Sequence, residues 1–366
     1  MRDTWLTLDP QALTGNIAVL RAHMPQSRLL AMVKADAYGH GVATVAPWLQ
    51  GQVDGFGVAF IDEALALRAM GITAPIAVLE GVFTAAELEA ARSAELQLAV
   101  HCPEQLALLQ AAPVGQSLMV WLKINTGMNR LGFRPADALR ACRQLAAAGC
   151  VSRIGLMTHF AAADELASNQ TDLQLGRFRA LQQTLTSEQG SAMPDSLANS
   201  AAILAWPETT GEWMRPGIAL YGSSPFAEQS AESFGLQPVM TLHSRVIAVN
   251  AVQPGEAVGY SGTWIAERAT RIAVVAIGYG DGYPRHAPSG TPVLVNGQRC
   301  RLAGRVSMDM ITVDLGEVEA VPGDEVVLWG RGLSADEVAA AAGTISYELF
   351  CRLTARVRRP AYLAAP

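Results

Sequence analysis

Eight short apolar runs alternate with helical segments through the first 220 residues, and no other feature limits the possible folds as strongly. The runs lie at 29–35, 55–60, 76–80, 96–100, 118–125, 153–160, 195–200 and 213–221. Between them, Asp62–Gly71, Thr84–Ala94, Pro103–Ala112, Pro135–Gly149 and Asn169–Leu185 are rich in Ala, Leu, Glu, Gln and Arg. Several start near Ser, Thr, Asp or Pro and end near Gly, as helices do. Asp9 and Pro10 likewise suit the N-cap and first position of an opening helix, with Leu13, Ile17 and Leu20 on one face. Eight strands with intervening helices predict a (β/α)8, TIM-like barrel. The competing doubly wound sheet lacks support, because neither a GxGxxG fingerprint nor a P-loop is present. Lys34, Arg130, His159, Asn199 and Ser200 fall at or just beyond the carboxyl ends of these runs, and Arg215 falls inside the last one. That end of a barrel carries the active site.

After about residue 230 the pattern becomes β-branched, at Val239–Val252, Arg271–Gly278, Thr291–Val295 and Glu325–Trp329. Pro-Gly or Asn-Gly turns stand at 254–255, 296–297 and 322–323, and only Ser334–Ala342 reads as helical. The expected organisation is therefore an α/β barrel over 1–232 and a mostly β domain over 233–366. With half the residues hydrophobic and 16% charged, the chain has material for a large core and not the composition of a disordered one. Its net charge of −6 and the lack of a long basic run argue against a nucleic-acid partner. The one basic cluster, Arg356–Arg359, reads as a solvated C-terminal strand edge. No stretch gives 18 uninterrupted apolar residues and no apolar leader is visible, so neither a membrane nor export is expected. Five scattered cysteines without CxxC spacing fit reduced thiols in a cytoplasmic protein, and the six histidines offer no paired metal-ligand spacing.

Only two lysines occur, Lys34 and Lys123, against twenty-five arginines. Codon bias accounts for the low count but not for a survivor at the mouth of a strand. Lysine forms Schiff bases with carbonyl groups, chemistry that a permanently charged guanidinium cannot perform. Lys34 is thus the candidate for covalent attachment of an aldehyde cofactor or carbonyl substrate.

The run Val33-Lys-Ala-Asp-Ala-Tyr-Gly-His-Gly41 resembles the cofactor-lysine signature of the alanine racemases, a family of fold-type III pyridoxal-phosphate enzymes. Further blocks follow in the family's order: 123–133 (KINTGMNRLGF), 157–160 (MTHF), 198–200 (ANS), 215–222 (RPGIALYG), 258–264 (VGYSGTW), 278–284 (GYGDGYP), 306–310 (VSMDM) and 347–351 (YELFC). They span nearly the whole chain, which makes the resemblance specific. It implies racemisation of L- and D-alanine with pyridoxal 5'-phosphate, which spreads the negative charge left at Cα. Two acid–base groups must then flank Cα, one per face. The resemblance gives Lys34 as cofactor lysine and one base, and Tyr260 as the other. Tyrosine has an ordinary pKa of about 10 and needs help to act as a base. His159 matches the partner that supplies this help.

The same resemblance implies further roles. Arg215 would face the cofactor's ring nitrogen and, as a donor only, keep it unprotonated. Tyr38, Asn199, Ser200, Tyr347 and the backbone at Gly217 and Ile218 would hold the cofactor, chiefly its phosphate. Arg130 and the loop Met308–Asp309 would take the substrate carboxylate, and Tyr279 would line a small entry. Lys123 occupies a position that is carbamylated in many members, although here Asn125 follows where an aspartate is common. Because Tyr260 lies in the β domain, the resemblance also implies a head-to-tail homodimer in which each site borrows Tyr260 and Met308–Asp309 from a partner. The alternatives are a broad-specificity or serine/lysine racemase of the same fold, and a non-catalytic cofactor-binding protein; the 130-odd residues after position 230 disfavour the latter.

Overall fold

In the computed structural model, which describes residues 3–115 and 118–359, the chain opens with a short strand, β1 (Trp5–Leu8), and a helix over Pro10–His23. Asp9 caps that helix as expected, its carboxylate accepting the N–H groups of Gln11 and Ala12 at 2.9 and 3.0 Å. Eight parallel strands then close into a barrel: β2 (Arg28–Met32), β3 (Gly55–Val58), β4 (Ile76–Val78), β5 (Gln97–Val100), β6 (Leu118–Lys123), β7 (Val151–Met157), β8 (Asp195–Ser196) and β9 (Trp213–Met214). Closure is made by β2 pairing with β9, Arg28 opposite Trp213. Each strand begins within two residues of the run that predicted it. The last two are shorter than expected for local reasons: Ser200 opens a helix over Ser200–Ala205, and Pro216 has no N–H to donate to a ladder.

Leu30, Ala77, Ala99, Trp121, Met157 and Trp213, from six strands, pack into one buried cluster. Trp121 is its bulkiest fully buried member, and its indole N–H donates to Gln97 Oε1 at 2.9 Å. The ring fits because β7 carries a glycine beside it: a Cβ on Gly155 would stand 2.6 Å from two ring carbons. Helices over Ile61–Ala69, Ala85–Ser93, Pro103–Ala111, Pro135–Ala146 and Gln170–Gln189 match the predicted segments. Thr84 and Glu87 form a reciprocal capping box at the start of the second of these.

The remaining strands are β10 (Met240–Val252), β11 (Ala257–Val258), β12 (Trp264–Ile265), β13 (Thr270–Val275), β14 (Pro292–Val295), β15 (Gln298–Leu302), β16 (Ile311–Asp314) and β17 (Glu325–Trp329). All but the β11–β12 ribbon join β1 in one antiparallel sheet, ordered β1-β10-β13-β16-β15-β14-β17, with β17 also pairing back onto β10. Asn296 and Gly297, both at positive φ, make the two-residue turn between β14 and β15.

Three features differ from expectation. First, Trp5–Leu8 pairs with Met240–His243, so the N-terminal residues belong to the antiparallel sheet. By its contacts the chain divides into a barrel unit, Ile17–Ala37 with Val45–Leu220, and a β-rich unit formed by the other described residues. A four-residue run carries too little pattern to show which sheet it joins. Second, β15 and β16 were not expected; β15 is a half-exposed strand whose outward arginines hide its alternation. Third, Ser346–Cys351 is helical as well as Ala335–Ala341, and at six residues it is too short for a 3.6-residue period to register.

Trp121→Ala is expected to cost about 3–5 kcal/mol of barrel stability through the cavity it leaves. Denaturant unfolding monitored by circular dichroism checks this, and a loss below about 1 kcal/mol would show that the interior does not depend on this ring.

Candidate active site

The strand order of the barrel brings the ends of β2, β6, β7, β8 and β9 together, and with them Lys34, Lys123, His159, Ser200 and Arg215. Lys34 lies two residues past the end of β2 and is partly buried. The backbone after it is unusual: Ala35, Asp36, Ala37 and Tyr38 all have φ between 52° and 56°, forming one left-handed helical turn. Such a turn costs roughly 1–2 kcal/mol per non-glycine residue. Glu63 offsets part of this. Its Oε1 accepts the Ala35 N–H at 2.7 Å, while Oε2 accepts Ala59 N–H at 2.8 Å and Phe60 N–H at 3.2 Å. One carboxylate thus ties the residue after Lys34 to the end of β3. The sequence predicted a turn here but not its hand, and nothing in the pattern singled out Glu63.

Arg215, 4% exposed, lies across the ends of β8 and β9. Its Nη1 donates to Ser196 Oγ at 2.6 Å, and its Nη2 to the carbonyls of Thr158 and Leu197 at 2.6 and 3.2 Å. These partners are neutral, and the Nε–H has no hydrogen-bond partner among the described residues. Burial lowers the guanidinium pKa to about 10, so the group stays charged near neutrality. Lys123 is 7% exposed with Nζ 3.4 Å from the Leu79 carbonyl, and burial lowers its pKa to about 8 against the opposing pull of Glu80. Arg130 is exposed on the loop after β6.

His159 is held well below its ordinary pKa of 6.5, first by burial and then by the charges of Arg215, Arg130, Lys123 and Lys34. Its backbone is fixed from the helix over Gln170–Gln189. Gln174, fully buried, donates to the His159 carbonyl at 2.9 Å and to Thr126 Oγ1 at 3.0 Å, and accepts Ala161 N–H at 2.9 Å. Thr126 in turn meets Thr158 Oγ1 at 2.8 Å. Thr126, Thr158, Gln174 and Ser196 are the supporting residues that the sequence did not disclose; a glutamine on a helix and hydroxyls near strand ends have many ordinary uses.

The hydroxyl of Ser200 accepts the N–H groups of Gly217 and Ala219 at 2.9 and 3.3 Å, and its own proton remains available to donate. Gly217 therefore spends its N–H internally. Ile218 opens the 3-10 turn Ile218–Tyr221, whose leading N–H groups have no partner inside the turn. Asn199 serves as a helix cap, its Oδ1 accepting Ala202 N–H at 3.0 Å.

The other sequence-derived residues lie in the β-rich unit. Tyr38 and Tyr347 bring their rings to 6.0 Å, and Tyr38 also stacks on Tyr221 at 5.0 Å. Burial raises the Tyr38 phenol pKa, which keeps it a hydrogen-bond donor. Tyr260, 68% exposed, projects from a short turn between Gly259 and Ser261, both at positive φ. Tyr279 and the Met308–Asp309 loop are joined by backbone hydrogen bonds: Tyr279 N–H to Ser307 O at 3.0 Å and Gly280 N–H to Met308 O at 2.9 Å. Arg356–Arg359 is not a merely solvated edge. Arg356 pairs with Asp281 and Asp309, Arg358 with Asp3 at 2.6 Å, and Arg359 donates to the Gly39 carbonyl at 2.8 Å.

Because His159 binds its proton more weakly folded than unfolded, the folded chain resists its protonation. The unfolded chain takes up that proton as pH falls below 6.5, so stability falls with it, by up to about 1.4 kcal/mol per pH unit. The stability difference between the wild type and His159→Gln should therefore shrink as pH is lowered from 7 through 6.5 and below. A difference independent of pH would contradict a neutral His159.

Models of two families match the chain: the alanine racemase N-terminal domain over residues 8–225 and the alanine racemase C-terminal domain over 239–361. The alanine racemase of Photobacterium profundum is 51% identical over 354 residues, covering 96% of this chain and 97% of that one. A protein of Pseudomonas putida named as a catabolic alanine racemase is 49% identical with the same coverage. Among solved structures, the biosynthetic alanine racemase from Pseudomonas aeruginosa aligns with a TM-score of 0.94 at 47% identity, over 98% of this chain and 99% of that one. With both halves matched in order and the barrel and antiparallel sheet in place, the chain belongs to the alanine racemase family of isomerases.

Proposed function

We propose that this racemase works on alanine by a two-base mechanism, with pyridoxal 5'-phosphate held at the barrel mouth by Lys34 and with Tyr260 supplied by a second subunit. The observation that carries the reading is the set of unspent donors and uncompensated cations at the ends of β2, β6 and β9. Lys34, Lys123, Arg130 and Arg215 make no ion pair within 4 Å among the described residues, which suits a phosphorylated cofactor and a substrate carboxylate. Ser200 keeps a proton to give to phosphate, with the Ile218 N–H nearby in sequence. The donor set fits the group.

Pyridoxal phosphate supplies a ring that accepts negative charge from Cα. Lys34 holds it and moves a proton at Cα on one face; Tyr260 moves a proton on the other. His159, neutral near physiological pH, can exchange a hydrogen bond with a tyrosine hydroxyl without adding another positive charge. Arg215 would face the ring nitrogen as a donor only and, unable to accept a proton, would leave that nitrogen unprotonated. Arg130 and the Met308 backbone bind the substrate carboxylate, Asp309 stands beside them, and Tyr279 narrows the entry so that alanine is preferred over larger amino acids. Tyr38 and Tyr347 contribute hydroxyls at the phosphate, whereas Asn199 supports that end by capping the helix that Ser200 opens. Lys123 is a supporting residue; burial lowers its pKa to about 8 and so raises its share of neutral amine, the form that attacks carbon dioxide and releases a proton on carbamylation. The resulting protein is a cytoplasmic homodimer.

Incubation of the purified protein with L-alanine should yield D-alanine, with serine and lysine turned over far more slowly. The protein should show a visible absorption band that disappears together with activity in Lys34→Ala. Retention of the band and of racemisation in Lys34→Ala would remove Lys34 from the cofactor site, and equal rates on serine or lysine would favour a broad-specificity racemase.

A further inference from the structure

The glycines of Gly278-Tyr-Gly-Asp-Gly282 are each required by a close approach within the β-rich unit. A Cβ on Gly278 would collide with the carbonyls of Ser307 and Met308. One on Gly280 would occupy the place of the Arg356 guanidinium, and one on Gly282, at φ 103°, would meet the Arg352 carbonyl. The turn that carries Tyr279 is thus pressed between the Ser307–Asp309 loop and the segment near the C-terminus.

Arg356 lies at the meeting point of all three. Its Nε is 3.4 Å from Oδ1 of Asp281, which is fully buried, and its Nη2 bonds Asp309 Oδ1. Asp281 uses its other oxygen to accept Gly278 N–H at 2.9 Å, and its carbonyl accepts Thr354 N–H at 3.0 Å. A planar guanidinium that reaches two carboxylates on different loops fixes their spacing, which a lysine point charge does less well. Asp281 is a fully buried carboxylate paired with Arg356. Losing that cation would weaken the tie between the turn and the loop.

We infer that Arg356 is a positioning residue for substrate binding: it clamps the Tyr279 turn and the Met308–Asp309 loop into one rigid piece. The inference rests on the reading that this turn and loop face the substrate, and it assigns the basic cluster near the C-terminus a role in KM. Misplacement of a binding group by about 1 Å can cost up to roughly a hundredfold in rate.

The test measures KM and kcat in both directions for the holoenzymes of Arg356→Met and Arg356→Lys, with Tyr279→Ala and Asp309→Ala alongside. Arg356→Met should raise KM for L- and D-alanine by about tenfold or more, with the cofactor absorption band close to wild type. Arg356→Lys should recover part of the loss; in a third variant, Arg356→Ala, KM should also rise and millimolar guanidinium ion should lower it, because the side chain is 38% exposed and the vacated place is open to solvent. If Arg356→Met leaves KM within twofold while Tyr279→Ala or Asp309→Ala raises it, the clamp is overturned and the substrate-facing reading stands. If none of these variants changes KM, the substrate-facing reading fails and the clamp with it. A kcat loss or melting-temperature drop with KM unchanged, and no response to guanidinium, would make Arg356 purely structural and also overturn the inference.

Discussion

Four cations converge at one end of the barrel, and no carboxylate forms an ion pair with any of them among the described residues. Arg215 is the extreme member, buried and held by a serine hydroxyl and two carbonyl oxygens. Burying charge without a counter-charge is costly unless a ligand supplies one. The consequence for the neighbours is direct: Lys123 loses its proton more readily and His159 stays neutral. An anion-shaped deficit at the mouth of a barrel is the physical basis for reading the site as one that takes a phosphorylated cofactor and an amino-acid carboxylate.

The backbone keeps this arrangement in place. Closure of β2 onto β9 fixes where Lys34 emerges relative to Arg215, and Trp121 with its neighbouring glycine fills the barrel interior beneath. Beyond Lys34 the chain runs through a left-handed turn that few sequences tolerate, held at its first residue by Glu63. Strain of this kind persists where surrounding bonds over-determine it, and it gathers at functional sites. Gln174 performs the matching task on the other side of the barrel, fixing the loops that carry His159 and Thr126.

Much of this was legible in the sequence because periodicity and strand-end polarity are local signals. The eight runs located β2–β9 within two residues at their starts, and the strand-end positions of Lys34, His159, Ser200 and Arg215 marked the mouth. The parts that escaped depend on contacts distant in the chain. Strand β1 is four residues long and gains its identity only from Met240–His243. Gln174 and Glu63 are polar residues on helices, indistinguishable by pattern from solvated neighbours. Arg356 stood out as basic, but its partners Asp281 and Asp309 lie 75 and 47 residues away, as their numbering shows. Tyr260 was legible only through resemblance, since a tyrosine between glycines is otherwise an ordinary turn residue.

The proposed active site takes Lys34 from one subunit and Tyr260 from another. Mixing Lys34→Ala protein with Tyr260→Phe protein under conditions that exchange subunits tests it most directly. In a hybrid dimer, one site would collect both defects and the other neither. Half the dimers in an equal mixture would be hybrids, so activity should recover to roughly a quarter of the wild-type value. If the two residues act within a single chain, every site in the mixture carries one defect. Activity no higher than the average of the two separate variants would then contradict the account.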